Sequence, residues 1–174
     1  VWHPSGVIRQ TELLNGVASG YASNIFTHTP VKYTTDGTLI VCAAGADVTI
    51  GSFAGCEFSS AGKYFVLPYW PSGQTYDTLG PARFYVNTDK GITYEAQANG
   101  SVAITARGEG ANLVGAVSGS TFTGGSTQAL NATTTGATAA TYTVQDLAPY
   151  EDNAWGDAFT QLRVTIQSYQ GPVA

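Results

Sequence analysis

Nucleophilic catalysis needs a serine or cysteine beside a base, and the chain's two histidines are His3 and His28. Neither accompanies a nucleophile motif. No Gly-x-Ser-x-Gly elbow occurs: Ser118 lies between Ala116 and Ser120, and Ser126 between Gly124 and Gln128. Cleavage of a glycosidic bond takes two carboxylates held at a fixed separation. Glu57, Glu95, Glu109 and Glu151 are available, yet nothing in their spacing pairs two of them. Asp146, Glu151, Asp152 and Asp157 form the densest acidic group, and their spacing matches no standard calcium loop. A solvated acidic corner is expected there. The glycine-rich run 119–125 lacks the Lys-Ser/Thr pair of a phosphate cradle. No catalytic, cofactor-binding or metal-binding residue is assigned, no cofactor is expected, and the chain reads as a non-enzyme.

Cys42 and Cys56 both sit in apolar, strand-like surroundings. They would serve as a disulfide closing a short loop, as a redox pair, or as two small buried hydrophobes. The third use is the expected one, since free cysteine is among the most buried residue types. Two thiols alone do not complete a zinc site, and both histidines are far away in sequence.

The aromatic residues say more. Tyr69-Trp70-Pro71 follows a strand-like run and precedes Ser72-Gly73, which places its rings at a strand-to-loop junction. Trp2, Tyr150 and Trp155 also fall in loop-like contexts. Aromatics beside glycine-rich turns are stacking platforms for sugars, anchors for protein interfaces, or plugs that close the end of a sheet. The candidate partner contacts are Trp2, His3, Tyr69, Trp70, Pro71, Phe122 and Trp155.

The elements that must position these residues are strands. Period-2 alternation is common, clearest in 161–167 and in 141–145. Shorter β-rich runs are 38–43, 47–53, 63–67, 82–87, 92–98 and 101–106. Helical spacing is nearly absent, with room for a turn or two only at 9–14 and 147–159. Asp36-Gly37 and Asn99-Gly100 predict two-residue hairpins, Asp89-Lys90-Gly91 a three-residue connection, and Ser72-Gly73 and Ala61-Gly62 further breaks. Strands at such spacing predict an all-β fold, an antiparallel β-sandwich or barrel. Residues 108–140 are rich in Gly, Thr, Ser and Ala and predict a long loop, pinned at Leu113, Val114, Val117, Phe122 and Leu130 or else a mobile linker. Residues 1–19 are expected to form an N-terminal arm and 20–174 the β domain.

Composition narrows the function classes. The 174 residues carry 7 basic and 12 acidic side chains, a net charge of −5, and only 11% are charged. That is less than half the roughly 25% usual for a soluble domain. The cations Arg9, Lys32, Lys63, Arg83, Lys90, Arg107 and Arg163 are scattered, so no nucleic-acid partner is expected. No apolar run approaches the about 20 residues of a membrane span, and no basic-then-apolar signal pattern stands near Val1. A soluble chain without a membrane partner is expected. Asn99-Gly100-Ser101 and Asn131-Ala132-Thr133 are glycosylation sequons by pattern alone.

Three stretches resemble the β-rich head decoration (capsid cement) proteins of tailed bacteriophages. The first is Gly20-Tyr21-Ala22-Ser23-Asn24-Ile25-Phe26-Thr27-His28-Thr29-Pro30-Val31. The second joins Gly51-Ser52-Phe53-Ala54-Gly55-Cys56-Glu57-Phe58 to Gly62-Lys63 and Tyr69-Trp70-Pro71. The third runs from Tyr94-Glu95-Ala96-Gln97-Ala98-Asn99-Gly100-Ser101 through Gly110-Ala111-Asn112 and Gly124-Gly125-Ser126. It ends in Asn153-Ala154-Trp155-Gly156-Asp157-Ala158 and the last strand. The first nineteen residues lie outside the resemblance.

The resemblance implies an accessory shell protein on the outer surface of the virion, made in the host cytoplasm. Its partners would be the major capsid protein and further copies of itself, as a homotrimer. Many modest contacts would then add up to firm attachment. It implies no catalytic residue. The alternative is a carbohydrate-binding or receptor-recognition module of a virion, using Tyr69, Trp70 and Trp155. A hydrolase using Glu57 or Glu95 is the third and weakest reading.

Overall fold

The computed structural model describes residues 10–78, 80–115, 118–137 and 139–171. Twelve strands are present among them, and no α-helix. They are β1 (Gln10–Leu14), β2 (Pro30–Tyr33), β3 (Leu39–Val41), β4 (Gly51–Ser60), β5 (Lys63–Leu67) and β6 (Arg83–Asn87). Then follow β7 (Tyr94–Gln97), β8 (Gly110–Ala111), β9 (Leu113–Val114), β10 (Ala129–Leu130), β11 (Tyr142–Leu147) and β12 (Gln161–Ile166). The fold is all-β and every strand pair is antiparallel.

The largest sheet has six strands in the order β1-β6-β4-β2-β3, with β5 also on β4. The ten-residue β4 holds this sheet together. Its start pairs with β2, its end pairs with β5, and β6 runs along its other edge. The second sheet is β7-β12-β11-β8, and β9 and β10 form a short ribbon. Both larger sheets end in unjoined strands, so neither closes into a barrel. Gly51 marks the tightest crossing: at φ 146° a Cβ there would fall 1.8 Å from the Asn87 carbonyl oxygen, so only glycine fits.

Each larger sheet buries its own apolar cluster. Val31, Phe53, Phe58, Phe84 and Trp70 gather on the six-stranded sheet. Tyr94, Leu113, Leu130, Tyr142, Val144 and Leu162 gather on the other. Trp70 is the largest wholly buried side chain and makes edge contacts with Phe58 at 5.1 Å and Phe84 at 5.3 Å between ring centroids. Such pairs add about 0.5–1.5 kcal/mol beyond area burial.

Several local expectations are corrected. Residues 9–14 hold no helical turn where described, because Gln10–Leu14 pairs residue by residue with β6. Val17 is fully buried, so the described part of the expected arm, from Gln10 onward, is built into the sheet. The two-residue hairpin lies at Ala61-Gly62, where φ is 49° and 71° and Ser60 faces Lys63. Both turn N–H groups donate to the Asp77 carboxylate, each at 3.1 Å. Asp36-Gly37 does connect β2 to β3, but only Gly37 has positive φ, and the loop closes between Thr34 and Thr38. Asn99-Gly100 is no hairpin: the Asn99 carboxamide oxygen accepts from Ala132 N at 2.9 Å.

Residues 101–106 form no strand. The Val102 N–H donates to Thr160 Oγ1 and its carbonyl accepts from Gly156 N, so a ladder has nothing left to use there. A 3-10 turn at Ile104–Ala106 follows instead. The segment 108–140 carries β8, β9, β10 and a second 3-10 turn at Ala132–Thr134. Leu113 and Leu130 pin it in the core and Val114 is half-buried, whereas Phe122 does not pin it at all. Val117 lies outside the described residues.

Candidate functional site

The expected contact residues separate into distinct fates. Trp2 and His3 lie outside the described residues. Trp70 is removed from the set, since its relative exposure is 0% and no partner can reach its ring. The reason is a long-range bridge: Ile25 and Trp70 exchange backbone hydrogen bonds at 2.9 and 3.0 Å, which turns the indole inward onto Phe58 and Phe84. Tyr69 and Pro71 are half-buried, and Tyr69 stacks on Phe26 at 5.7 Å between centroids. Trp155 is half-buried against the second cluster, with the Arg107 guanidinium 5.7 Å over its ring.

Phe122 is the opposite case. Its side chain is 97% exposed. Its loop nevertheless has a built shape. Gly119 and Ser126 form an antiparallel bridge, Ser120 N donates to Gly125 O at 3.0 Å, and Gly124 N donates to Ser120 O at 2.7 Å. Thr27 sews the loop to the body, donating its N–H to Gly124 O at 2.8 Å and accepting from Ser126 N at 3.0 Å. A phenyl ring held in water on a loop whose backbone is braced is unpartnered apolar surface that needs little backbone ordering to bind.

A second exposed surface lies on the outer face of the six-stranded sheet. Register places Leu14 beside Arg83, Arg83 beside Glu57, and Glu57 beside Val66. Leu14, Val66 and Tyr64 are 61%, 67% and 64% exposed. At the centre, Tyr64 and Tyr85 both donate their hydroxyls to the Glu57 carboxylate. Arg83 also reaches Glu12, Nε to Oε1 at 3.5 Å. None of Leu14, Tyr64, Tyr85 or Val66 is singled out by residue type. The signal that finds them is alternation: once Ala61-Gly62 is read as the turn, Glu57, Ser59, Tyr64 and Val66 must share one face.

The residues considered for catalysis are otherwise engaged. Hydrogen bonds from Tyr64 and then Tyr85 hold the Glu57 carboxyl below its ordinary pKa. Glu95 is held low by the Tyr150 hydroxyl, with Arg163 helping. A carboxylate stabilised in this way is a poor proton donor near neutrality. Cys42 and Cys56 are free, buried, and members of different apolar clusters. Burial pushes both thiols up to about 12, far from a nucleophile's range. In the acidic corner, Asp146 pairs with Arg107 at 2.7 Å. Among the described residues no three His, Cys, Asp or Glu side chains gather as a metal site.

His28 takes a left-handed backbone, φ 69°, with its N–H donating to Phe53 O at 2.8 Å. More than a third of its side chain stays open to solvent, while partial burial lowers its pKa. It lines one edge of a cleft of about 570 Å³ whose walls include Glu95, Gln128 and Tyr150.

No protein-family model matches the chain, and neither a curated protein nor a solved structure matches it.

Proposed function

We propose that this chain is a virion structural protein that docks on the outer surface of a tailed-phage head and cements contacts between major capsid subunits. Phe122 is the observation that carries docking. A fully exposed aromatic on a loop braced by Thr27 is the kind of residue that fills a partner's pocket. Holding the loop in shape beforehand lowers the ordering cost of binding. The assignment to a phage head rests on the three resembling stretches within residues 20–167.

The proposed attachment is multivalent. Several copies, arranged as a trimer, grip neighbouring capsid subunits at once, so modest single contacts suffice. The low charged fraction of 11% suits a surface that meets other protein surfaces without strong repulsion. The chemistry asks for no cofactor. The sugar-binding alternative built on Tyr69, Trp70 and Trp155 has lost its central ring to the core.

Particles purified without this chain test the reading. They are expected to release DNA at lower temperature and after milder osmotic shock, and added protein should restore them. Phe122→Ser should fail to restore them while melting like the parent. Equal robustness with and without the chain, or a copy number far below that of the major capsid protein, would overturn the proposal.

A further inference from the structure

The cleft beside β7 is unexplained by docking through Phe122. Its floor is mostly apolar, formed by Tyr94, Leu113, Leu130, Tyr142 and Val164, with the buried Tyr94 hydroxyl as a polar group without a partner. Its walls are polar and electrically balanced. Glu95 takes the Tyr150 hydroxyl at 2.5 Å and Arg163 Nε at 3.2 Å, so its charge is already matched. Arg163 is thereby committed, and no lysine lines the cleft. Partial burial shifts His28, at the cleft's edge, toward its neutral form, so an anionic ligand would find no fixed cation there, and a cationic one would find only a carboxylate already paired.

Gln128 points to the kind of ligand. Its carboxamide oxygen and nitrogen are both buried, and neither has a hydrogen-bond partner. Buried amides are nearly always satisfied, so an orphaned pair calls for an explanation. An amide offers one acceptor beside one donor, which matches two neighbouring hydroxyls that each give and take a proton. Tyr150, 46% exposed, lines the same cleft and brings an aromatic ring to it. Apolar floor, aromatic side and neutral hydrogen-bonding wall together fit a molecule with one apolar face and a fringe of hydroxyls.

We propose that this cleft binds a neutral saccharide ring, stacked on Tyr150 and hydrogen-bonded by Glu95 and by Gln128. The Gln128 amide is closed off from solvent behind the cleft wall, so the proposed binding turns that side chain about its own torsions into the cavity. The Glu95 carboxylate accepts a further hydroxyl while Arg163 and Tyr150 hold it in place.

Saturation-transfer NMR with glucose, galactose, N-acetylglucosamine and lactose at millimolar concentration tests this. At least one sugar should show transfer, and Tyr150→Ala and Gln128→Leu should each weaken it roughly tenfold or more. Gln128→Leu should meanwhile melt at the same or a higher temperature, since it removes an unsatisfied buried amide. A purely structural Gln128 would not couple those two results. Transfer to none of the sugars, transfer unaffected by either variant, or tighter binding of inorganic phosphate or a neutral tripeptide would overturn the proposal. Phe122→Ser should leave sugar binding unchanged, which separates this site from the docking loop.

Discussion

Leu14 and Val66 stand at the two ends of one row of side chains that crosses four strands, with Arg83 and Glu57 between them. The row is apolar at its ends and charged in its middle. Tyr64 and Tyr85 close over the Glu57 carboxylate, which lets a charged centre sit on a flat face without a fully hydrated shell.

That arrangement sets a pH dependence. Glu57 is held below its ordinary pKa by the tyrosine hydroxyls, Glu95 by Tyr150, and Asp146 by the Leu147 N–H and Arg107. A carboxyl with a depressed folded-state pKa contributes stability that is fully present above its unfolded value. That contribution is lost as pH falls through the folded value. Melting temperature should therefore decline slightly as pH falls through the ordinary histidine value, because burial holds His28 below it, and fall more steeply below roughly pH 4.5. Glu57→Gln should shallow the acid limb, and an unchanged limb would remove Glu57 from its causes.

The Ala61-Gly62 turn carries a removable strain. Alanine at φ 49° sits in the left-handed region, which costs a non-glycine residue on the order of 1 kcal/mol. Ala61→Asn, which forms the preferred Asn-Gly turn, should raise stability by about 0.5 kcal/mol. Asp77→Ala should lower it by about 1 kcal/mol through loss of both turn acceptors. Urea denaturation of the two variants reads both signs.

The thiols should be inert in the folded protein. With both pushed up to about 12 by burial, iodoacetamide at pH 8 should label neither Cys42 nor Cys56 until denaturant is added. Intact mass should show no loss of two hydrogens. Rapid native labelling, or a bond between the two, would contradict their burial in separate clusters.

Trp70 should dominate the stability of the larger sheet. Trp70→Ala leaves a cavity among Phe58, Tyr76 and Phe84 and should cost about 3–5 kcal/mol. Its indole N–H is buried without a partner, so Trp70→Phe removes an orphan donor along with volume. Its loss should be clearly smaller. A loss as large as that of Trp70→Ala would contradict the cavity account, since a phenyl ring refills most of the space.

Fold class was legible from residue pattern, and the exposure of the expected contact residues was legible only in part. β5 was readable at Lys63–Leu67 because its run of β-formers lies between the Ala61-Gly62 break and Pro68. Residues 101–106 misled because β propensity is satisfied only when a neighbouring strand can take the backbone groups, and here Thr160 and Gly156 took them. Asn99-Gly100 misled because the Asn99 side chain serves Ala132 instead of closing a hairpin. Trp70 looked like a surface ring because local sequence marks a junction, whereas the Ile25 bridge that turns it inward lies 45 residues away in the chain. Phe122 stays exposed for the converse reason: glycine-rich flanks give a large ring nothing local to pack against.

Image reconstruction of the particle that carries this chain is the most direct measurement. The account predicts copies spread over the outside of the head, with Phe122 seated in a pocket of the major capsid protein. Density only at the tail, or copies on the head with the Phe122 loop turned to solvent, would contradict it.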